Sequence, residues 1–330
     1  MQSHVAAQRT TKRHSTALRS QSMARHGCAL LTVLIASKLA ALQAHAQAAP
    51  KSGFSLELDS GLEYNSVVSL NELDLSNNEG DTALLVDATA GYNRELTDSL
   101  ELDLGYTYSV LDYRDIDSVD QDSHIFSADL VQSVGGAKVG LSGFYVSSDL
   151  DDQDFMELGR VSPHISGFIA DGWFLRGGVV HSTKTNDINP GRDATAVISE
   201  IDAYHFPAGK PWFVHVGYKY RDEDADASRF DYTGNTLKVR YVYRLPLFEK
   251  KSRLELAHQY IDRNYSALTP SIGEERLDRR NRSSIELQVE LSPSVDVRMY
   301  YNYSDWESNL DSVDFSRNVA GVRVTYRWEP

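Results

Sequence analysis

Charged side chains recur at every second position in many segments of this chain, a spacing that places them on one face of an extended strand. Two sets can be distinguished. The acidic set comprises Glu57, Asp59, Glu63, Asp87, Asp103 and Asp129. The basic set comprises Lys138, Arg176, Lys219, Arg221, Lys238, Arg240, Arg244 and Arg298. Two opposed walls of fixed charge would select ions between them, whereas charges that pair across neighbouring strands would only fill an interior; the sequence leaves both readings open.

Catalytic chemistry has little support in the sequence. Six histidines follow residue 46, but none is spaced with a serine and an acid as a nucleophilic set would require. His181 and Ser182 are the nearest pair, and adjacent residues of a strand point to opposite faces. The acids at 222–228 alternate as in a calcium loop, but Ala227 stands where the sharp turn needs glycine. We therefore expect no enzyme, no cofactor and no metal site.

The segments that carry the charges are predicted to be β-strands, because apolar and polar residues alternate with a period of two. The pattern is clear at 54–64, 100–110, 236–245, 283–292, 295–303 and 317–328. No segment after the amino terminus reaches the ~18 consecutive apolar residues of a transmembrane helix. One face of each strand is therefore apolar and the other is charged.

The connections between these strands alternate in length. Short turns are predicted at 97–99, 135–137, 171–172, 208–211, 248–251 and 292–294. Longer polar stretches lie between them, at 71–81, 114–123, 150–155, 186–193, 222–232, 264–280 and 307–315. This alternation predicts an all-β, antiparallel up-and-down barrel of about 14 strands with both termini on the short-turn side, which is the periplasmic side of a bacterial outer-membrane barrel.

Tryptophan placement favours a membrane barrel over a soluble β-sandwich. Trp173 and Trp212 directly follow short turns, and Trp328 lies near the end of the last strand. These three side chains would lie at one height and form a periplasmic aromatic girdle. The core tryptophans of a sandwich would not have to lie near one edge.

The last strand resembles a known signal. Bacterial outer-membrane barrels typically end in a strand with apolar residues at alternate positions and an aromatic last residue, which the barrel assembly machinery recognises. The matching residues here are Val322, Val324, Tyr326 and Trp328, preceded by Ala320. The resemblance implies a transmembrane barrel that this machinery inserts. Two further residues follow the tryptophan, which departs from the pattern.

A second resemblance lies at 60–72, in the segment SGLEYNSVVSLNE. It is similar to the opening of barrels that follow tetratricopeptide repeats, such as the surface lipoprotein assembly modifier barrels, which also resemble this chain in strand number. The resemblance implies a role in export or surface assembly. The periplasmic repeat domain of that family has no counterpart in this sequence.

Residues 1–46 are predicted to be a signal peptide. A basic start precedes an apolar run from Cys28 to Leu42, and the small residues around His45 form a cleavage site. Met23 is an alternative start. We expect a short periplasmic segment at 47–53 and the barrel at 54–330. The only cysteine leaves with the signal peptide, so the mature chain has no thiol chemistry.

The predicted signal peptide contains six basic residues and no acid, so its removal leaves 27 basic and 47 acidic residues and a net charge of −20. Such a chain is a poor partner for nucleic acid. The expected partners are outer-membrane lipid, lipopolysaccharide and the barrel assembly machinery, and we expect a monomer. Weak bridging of the acidic outer loops to lipopolysaccharide by divalent cations is left open.

A barrel of this size suggests a channel. Its interior is wider than that of barrels of about eight strands, which side chains fill, and narrower than that of porins of about 16 strands. We expect a porin-like channel for small anionic or zwitterionic solutes. An export barrel and a non-conducting structural or adhesive barrel are the alternatives.

The basic set yields a prediction at this stage. Lys238→Glu with Arg240→Glu should shift the reversal potential of a planar-bilayer current toward cations without changing folding. The shift should shrink at high salt, because the screening length falls to about 3 Å at 1 M. An unchanged reversal potential in a folded double variant would mean that these residues only fill the interior.

Overall fold

The computed structural model describes residues 52–77 and 79–329. Within these residues, 14 long strands form a closed antiparallel barrel in which each strand pairs with its neighbours in sequence and the first pairs with the last. The strands are β1 (Ser52–Asn65), β2 (Asp81–Thr97), β3 (Leu100–Tyr113), β4 (Gln121–Val134), β5 (Ala137–Leu150), β6 (Gln153–Ala170), β7 (Trp173–Asn186), β8 (Ala194–His205), β9 (Trp212–Ala225), β10 (Tyr232–Leu247), β11 (Lys250–Thr269), β12 (Glu274–Ser292), β13 (Val295–Ser308) and β14 (Phe315–Trp328).

The predicted fold class and strand number are confirmed. Strand β1 begins at Ser52, two residues before the predicted start of the barrel. The predicted signal peptide at 1–46 and most of the segment at 47–53 lie outside the described residues. None of the short helices in the described part of the chain is long or apolar enough to cross a membrane.

Alternation along each strand divides the barrel wall into two faces. On β1, Leu58 and Leu62 point outward and are 49% and 59% exposed, whereas Asp59 and Glu63 point inward and are each 4% exposed. The other strands repeat this pattern, so leucine, valine, tyrosine and phenylalanine form a continuous apolar outer band. An apolar surface of this size is unfavourable in water, so the outer face of the barrel contacts lipid. Closure leaves no strand edge unpaired.

The two ends of the barrel differ. At the turn end, where both described termini lie, five connections have two residues and one, 206–211, has six. At the loop end, the connections at 66–80, 114–120, 187–193, 226–231 and 309–314 each contain a short 3-10 turn. Long loops were also predicted at 150–155 and 264–280, and both predictions are wrong. Strands β5 and β6 meet at a two-residue turn at 151–152, and β11 and β12 continue until only 270–273 connects them.

The physical reason for these errors is that strands can extend beyond the apolar band. There both faces meet water, so polar residues no longer distinguish a strand from a loop. The turn at 151–152 also has an unusual backbone, because Asp151 and Asp152 have φ values of 51° and 58°. Aspartate is one of the few residues that adopts this left-handed conformation readily.

The connection at 66–80, called the internal loop below, folds into the barrel. Val68 and Leu70 are 1% and 0% exposed. Leu70 packs among inward-facing apolar side chains of β4, β5 and β6, and Val68 packs among those of β2 and β3. The long polar connection predicted at 71–81 is present as part of this segment, but its expected placement among the outer loops is wrong, because Leu73 and Leu75 pack inside the barrel against the same cluster as Leu70. Burial of each such side chain contributes roughly 1.5–3 kcal/mol.

The seam between β1 and β14 depends on one arginine. Arg323 donates from Nε to Asp59 and from Nη2 to Asp87, the latter at 2.6 Å. Gly61 lies directly opposite Arg323 in the β1–β14 register, and a Cβ atom at Gly61 would clash with the backbone carbonyl oxygen of Val322 and lie 2.7 Å from Cγ of Arg323. Glycine is needed here because a larger residue would displace both the paired β14 backbone and the Arg323 side chain that binds the two carboxylates.

Substitution at this position tests the seam. Gly61→Val should destabilise the closed barrel by several kcal/mol, because displacing one partner of a buried ion pair costs about 3–5 kcal/mol. The measurement is the fraction of heat-modifiable, folded protein on an unheated detergent gel. Gly143→Val is the matched control, because a Cβ atom at Gly143 would have no neighbour within 4 Å. Equal folding of the two variants would contradict the role of Gly61.

Candidate functional site

The acidic set faces inward, and much of it is neutralised by arginines of the last two strands. Glu57 accepts from Arg327 at 2.9 Å. Asp59 accepts from Arg298 at 2.7 Å and also from Arg323. Because the barrel closes, the first strand of the sequence lies beside the last, and these oppositely charged residues meet although they are far apart in the chain.

The remaining members of the acidic set are held mainly by neutral hydrogen bonds. Glu63 accepts from the Tyr300 hydroxyl at 2.6 Å. Asp103 accepts from the Asn93 amide at 2.5 Å, and Asp129 accepts from Ser142 at 2.9 Å. Asp87 accepts from Ser109 at 2.5 Å in addition to its bond with Arg323. Neutral donors do not cancel charge, so the arginine pairs offset Glu57, Asp59 and Asp87, whereas Glu63, Asp103 and Asp129 are not offset by an ion pair within the described residues.

The basic set also faces inward, and carboxylates on the same strand or one or two strands away pair with most of its members. Arg176 and Lys219 share Glu200 at 3.4 and 2.7 Å. The other pairs are Lys138–Glu101 at 3.2 Å, Arg221–Glu223 at 2.7 Å and Arg240–Glu255 at 3.7 Å. Within the described residues, Lys238 and Arg244 make no ion pair. The sequence reasoning missed these partner carboxylates, although they lie at the same alternate positions as the basic set.

The internal loop brings two further acids into the interior. Glu72 accepts from Lys184 of β7 at 3.1 Å, and Lys184 also lies 3.3 Å from Glu223 of β9. Asp74 accepts from Arg192, in the connection between β7 and β8, and from Arg276 of β12 at 2.7 Å. These pairs fasten the internal loop to the wall opposite its apolar contacts.

A cavity of about 50 Å³ lies between the internal loop and this wall. Eight charged residues line it and are called the constriction cluster: the basic residues are Arg160, Lys184, Arg192, Arg221 and Arg263, and the acidic residues are Glu72, Asp74 and Glu223. Five positive and three negative charges leave an excess of two positive charges. The cavity is large enough for a few water molecules.

Two arginines of the constriction cluster account for this excess. Arg160 and Arg263 make no ion pair with any described residue. Arg263 instead lies over the Tyr232 ring, with its guanidinium carbon 4.8 Å from the ring centroid. The Nε atoms of Arg160 and Arg221 are buried without a hydrogen-bond partner. An anion that enters the cavity would meet guanidinium groups whose donors are not all used.

The acids of the internal loop remain ionised over a wide pH range. Burial raises the pKa of Glu72, but Lys184, Arg192 and Arg263 together lower it by a larger amount, so that the pKa is about 2. Burial likewise raises the pKa of Asp74, and Arg192 and Arg276 outweigh that effect, so its pKa is lowered. Because both pKa values are depressed on folding, the loop contacts gain stability above pH 4.5, the ordinary value for glutamate, and lose it only as the pH falls toward about 2.

The interior is divided along the barrel axis. Toward the loop end, inward residues such as Val146 and Leu158 are buried under the internal loop. At the turn end the side chain of Lys138 is 51% exposed, and that of Lys219, midway along β9, is 50% exposed. The interior therefore consists of a wet vestibule at the turn end and a packed constriction at the loop end.

The aromatic and terminal residues singled out in the sequence lie on the outer face. Trp173 and Trp328 are each 45% exposed at the turn end, and the Trp212 ring lies 5.8 Å from that of Tyr241. Val322, Val324, Tyr326 and Trp328 also point outward, and their strand pairs with β1. The fourth tryptophan, Trp306, is buried near the loop end against Phe315.

No protein-family model matches the sequence, and no curated protein is significantly similar to it. Solved structures do match the fold. OmpT of Vibrio cholerae is 12% identical, with 85% of this chain and 99% of that chain covered and a TM-score of 0.49. CdiB from Acinetobacter baumannii is 13% identical, with 86% of this chain and 61% of that chain covered and a TM-score of 0.52. OprD of Pseudomonas aeruginosa is 10% identical, with 84% of this chain and 95% of that chain covered and a TM-score of 0.40.

These likenesses concern the fold alone. Together with the closed wall and the apolar outer band, the fold likeness to CdiB, with a TM-score of 0.52, shows a bacterial outer-membrane β-barrel, and such a barrel lies in the outer membrane in contact with lipid. Barrels of this class depend on assembly machinery for insertion.

The contact between Glu72 and Lys184 should hold the internal loop in place. Glu72→Gln should lower the hydrogen-exchange protection factors of the backbone amides at 66–77, because Lys184 then loses a charged partner. Glu79→Gln is the matched control, since Glu79 lies in the same loop but is exposed. In the unmodified protein, these protection factors should stay constant from about pH 7 to about pH 4. Protection that begins to fall near pH 4.5, or an equal effect of the control, would contradict this role of the contact.

Proposed function

We propose that this protein is an outer-membrane channel for small anionic or zwitterionic solutes, and that the constriction cluster is its selectivity filter. The observation that carries the proposal is the excess of positive charge around the small cavity between the internal loop and the barrel wall. Rings or clusters of arginine and lysine in a pore favour anions, since a low-dielectric wall strengthens their field.

The arrangement suits carboxylates and phosphates in particular. A guanidinium group offers donors in a planar fork that matches these anions. Arg160 and Arg263 have no carboxylate partner among the described residues, so a passing anion does not need to displace one. Glu72 and Glu223 lie in the same cavity and would receive the ammonium group of a zwitterion.

The route past the internal loop follows from how the loop is held. Its apolar side packs against β2–β6, whereas its polar side makes ion pairs with β7, β12 and the β7–β8 connection. Ion pairs can be exchanged for pairs with a solute or with water, but apolar contacts cannot. We infer that the loop stays on its apolar side and that solutes pass on the side of the constriction cluster.

The internal loop also favours a small solute over a protein cargo, because it occupies the loop-end half of the interior. Export or surface assembly, implied by the resemblance of residues 60–72 to surface lipoprotein assembly modifier barrels, is the second candidate. A non-conducting structural or adhesive barrel is the third. Measurable conductance separates the first candidate from the third.

The orientation we propose places the turn end and both termini in the periplasm and the loop end outside the cell. Trp173, Trp212 and Trp328 then form the periplasmic girdle, where amphipathic rings prefer to lie. Val322, Val324, Tyr326 and Trp328 serve as the assembly signal for the barrel assembly machinery. Lipopolysaccharide surrounds the loop end, and the barrel acts as a monomer.

Reversal potential across a salt gradient tests the filter. The unmodified channel should favour chloride over potassium, and Arg160→Gln with Arg263→Gln should lower that preference at least twofold, because it removes the excess positive charge. Arg94→Gln with Lys210→Gln is the matched control, since it removes two exposed cations at the turn end, away from the cluster. A cation-selective channel, or equal effects of the two double variants, would overturn the proposal.

A further inference from the structure

Five aromatic side chains meet at the turn-end mouth of the vestibule and are called the mouth platform: Phe168, Phe174, Tyr204, Phe206 and Phe213. Neighbouring rings lie 5.1–6.4 Å apart between centroids. Phe174 and Tyr204 are directly opposed in the β7–β8 register and point inward. Their rings therefore belong to the interior and not to the outer face that meets lipid.

Phe206 reaches the platform because the β8–β9 connection folds over the mouth. Its backbone N–H donates to the Gly172 carbonyl at 2.7 Å. Gly172 has a φ of 72°, a conformation that glycine adopts without strain, and a Cβ atom there would crowd the Phe206 backbone. The glycine thus fixes the position from which the Phe206 ring contacts Phe168, Tyr204 and Phe213.

The platform exposes apolar rings to an aqueous vestibule. Phe168 is 64% exposed and Phe206 is 37% exposed. Exposed aromatic rings inside a wet passage lose the stabilisation that burial would give them, and lipid cannot reach them there. A ligand that covers these rings would recover that stabilisation.

Cations border the platform. The guanidinium carbons of Arg240 and Arg244 lie 5.9 and 6.0 Å from the Phe213 ring centroid. Arg244 makes no ion pair within the described residues and is exposed. His215 stacks on Tyr204, with 4.4 Å between ring centroids. An apolar flat surface and an available guanidinium therefore lie side by side.

We propose that the mouth platform is a binding subsite for aromatic carboxylates on their way through the channel. The ring of such a solute would stack on Phe168 and Phe206, since aromatic pairs prefer centroid distances of about 4.5–7 Å. Its carboxylate would accept hydrogen bonds from Arg244. The inference rests on the proposed function, because it names the solute class that the anion-selective channel would take up.

Block of the ion current by small acids tests the subsite. Benzoate added to both compartments should block the current at lower concentration than acetate, by about tenfold, and cyclohexanecarboxylate should fall between them. Phe168→Ala with Phe206→Ala should weaken the benzoate block at least fivefold and leave the acetate block unchanged. Arg244→Gln should also weaken the benzoate block.

Phe54→Ala with Phe126→Ala is the matched control, because these two rings are 64% and 48% exposed on the outer face. Saturation-transfer NMR of benzoate with the detergent-solubilised protein gives a readout that does not need conduction. The inference is overturned if benzoate binds no better than acetate, or if the platform and control variants behave alike. If benzoate binds but the unmodified channel is not anion-selective, the proposed function fails and the subsite stands.

Discussion

The structure depends on pairing charges within a closed interior. Every second residue of 14 strands must point inward, and a charge that enters this confined space without a partner loses hydration that nothing replaces. Arg323 meets this constraint at the seam by joining Asp59 and Asp87. Glu200, shared by Arg176 and Lys219, meets it on the opposite wall. Places where pairing is incomplete among the described residues, such as those at Arg160, Lys238, Arg244 and Arg263, are therefore the places where an external anion is most easily accommodated.

The internal loop contributes to this charge pairing at the loop end of the interior. One side of the loop is apolar and packs permanently, and the other side adds Glu72 and Asp74 to a wall rich in arginine. The loop thus reduces the positive charge of the constriction without cancelling it. In the proposed channel, the solute would meet ring contacts at the mouth of the vestibule and fixed charge deeper in the interior.

Much of the fold could be predicted from the sequence, because strand periodicity is local. The alternation of polar and apolar residues indicated the inward face of most strands, and the alternation of short and long connections indicated the strand number. The segments at 150–155 and 264–280 could not be recognised as strand. Where both faces of a strand are exposed to water, both carry polar residues, so the alternation that identifies a strand is lost. The internal loop carried a signal in Val67, Val68 and Leu70, but a local pattern does not say whether an apolar loop folds inward.

The candidate site was less predictable, because it depends on which strands become neighbours through space. Asp59 and Arg323 are 264 residues apart, and their pairing requires the closed seam. Arg160 could have been found by extending the alternation through β6, but glycine, proline and histidine obscure the period there. Arg192 lies in a connection, where no periodicity applies. The mouth platform needs both the inward register of β6–β9 and the fold of the β8–β9 connection.

The seam also has a consequence for the order in which the barrel forms. The β1–β14 ladder joins the two ends of the described chain, and contacts of such long sequence separation close the largest chain loop and carry the greatest entropic cost. The internal loop packs against β2–β6, which follow it closely in the chain, so its apolar contacts can form while the sheet is still open. Closure of the seam then encloses an internal loop that is already in place, so the loop does not have to enter a barrel that has already closed.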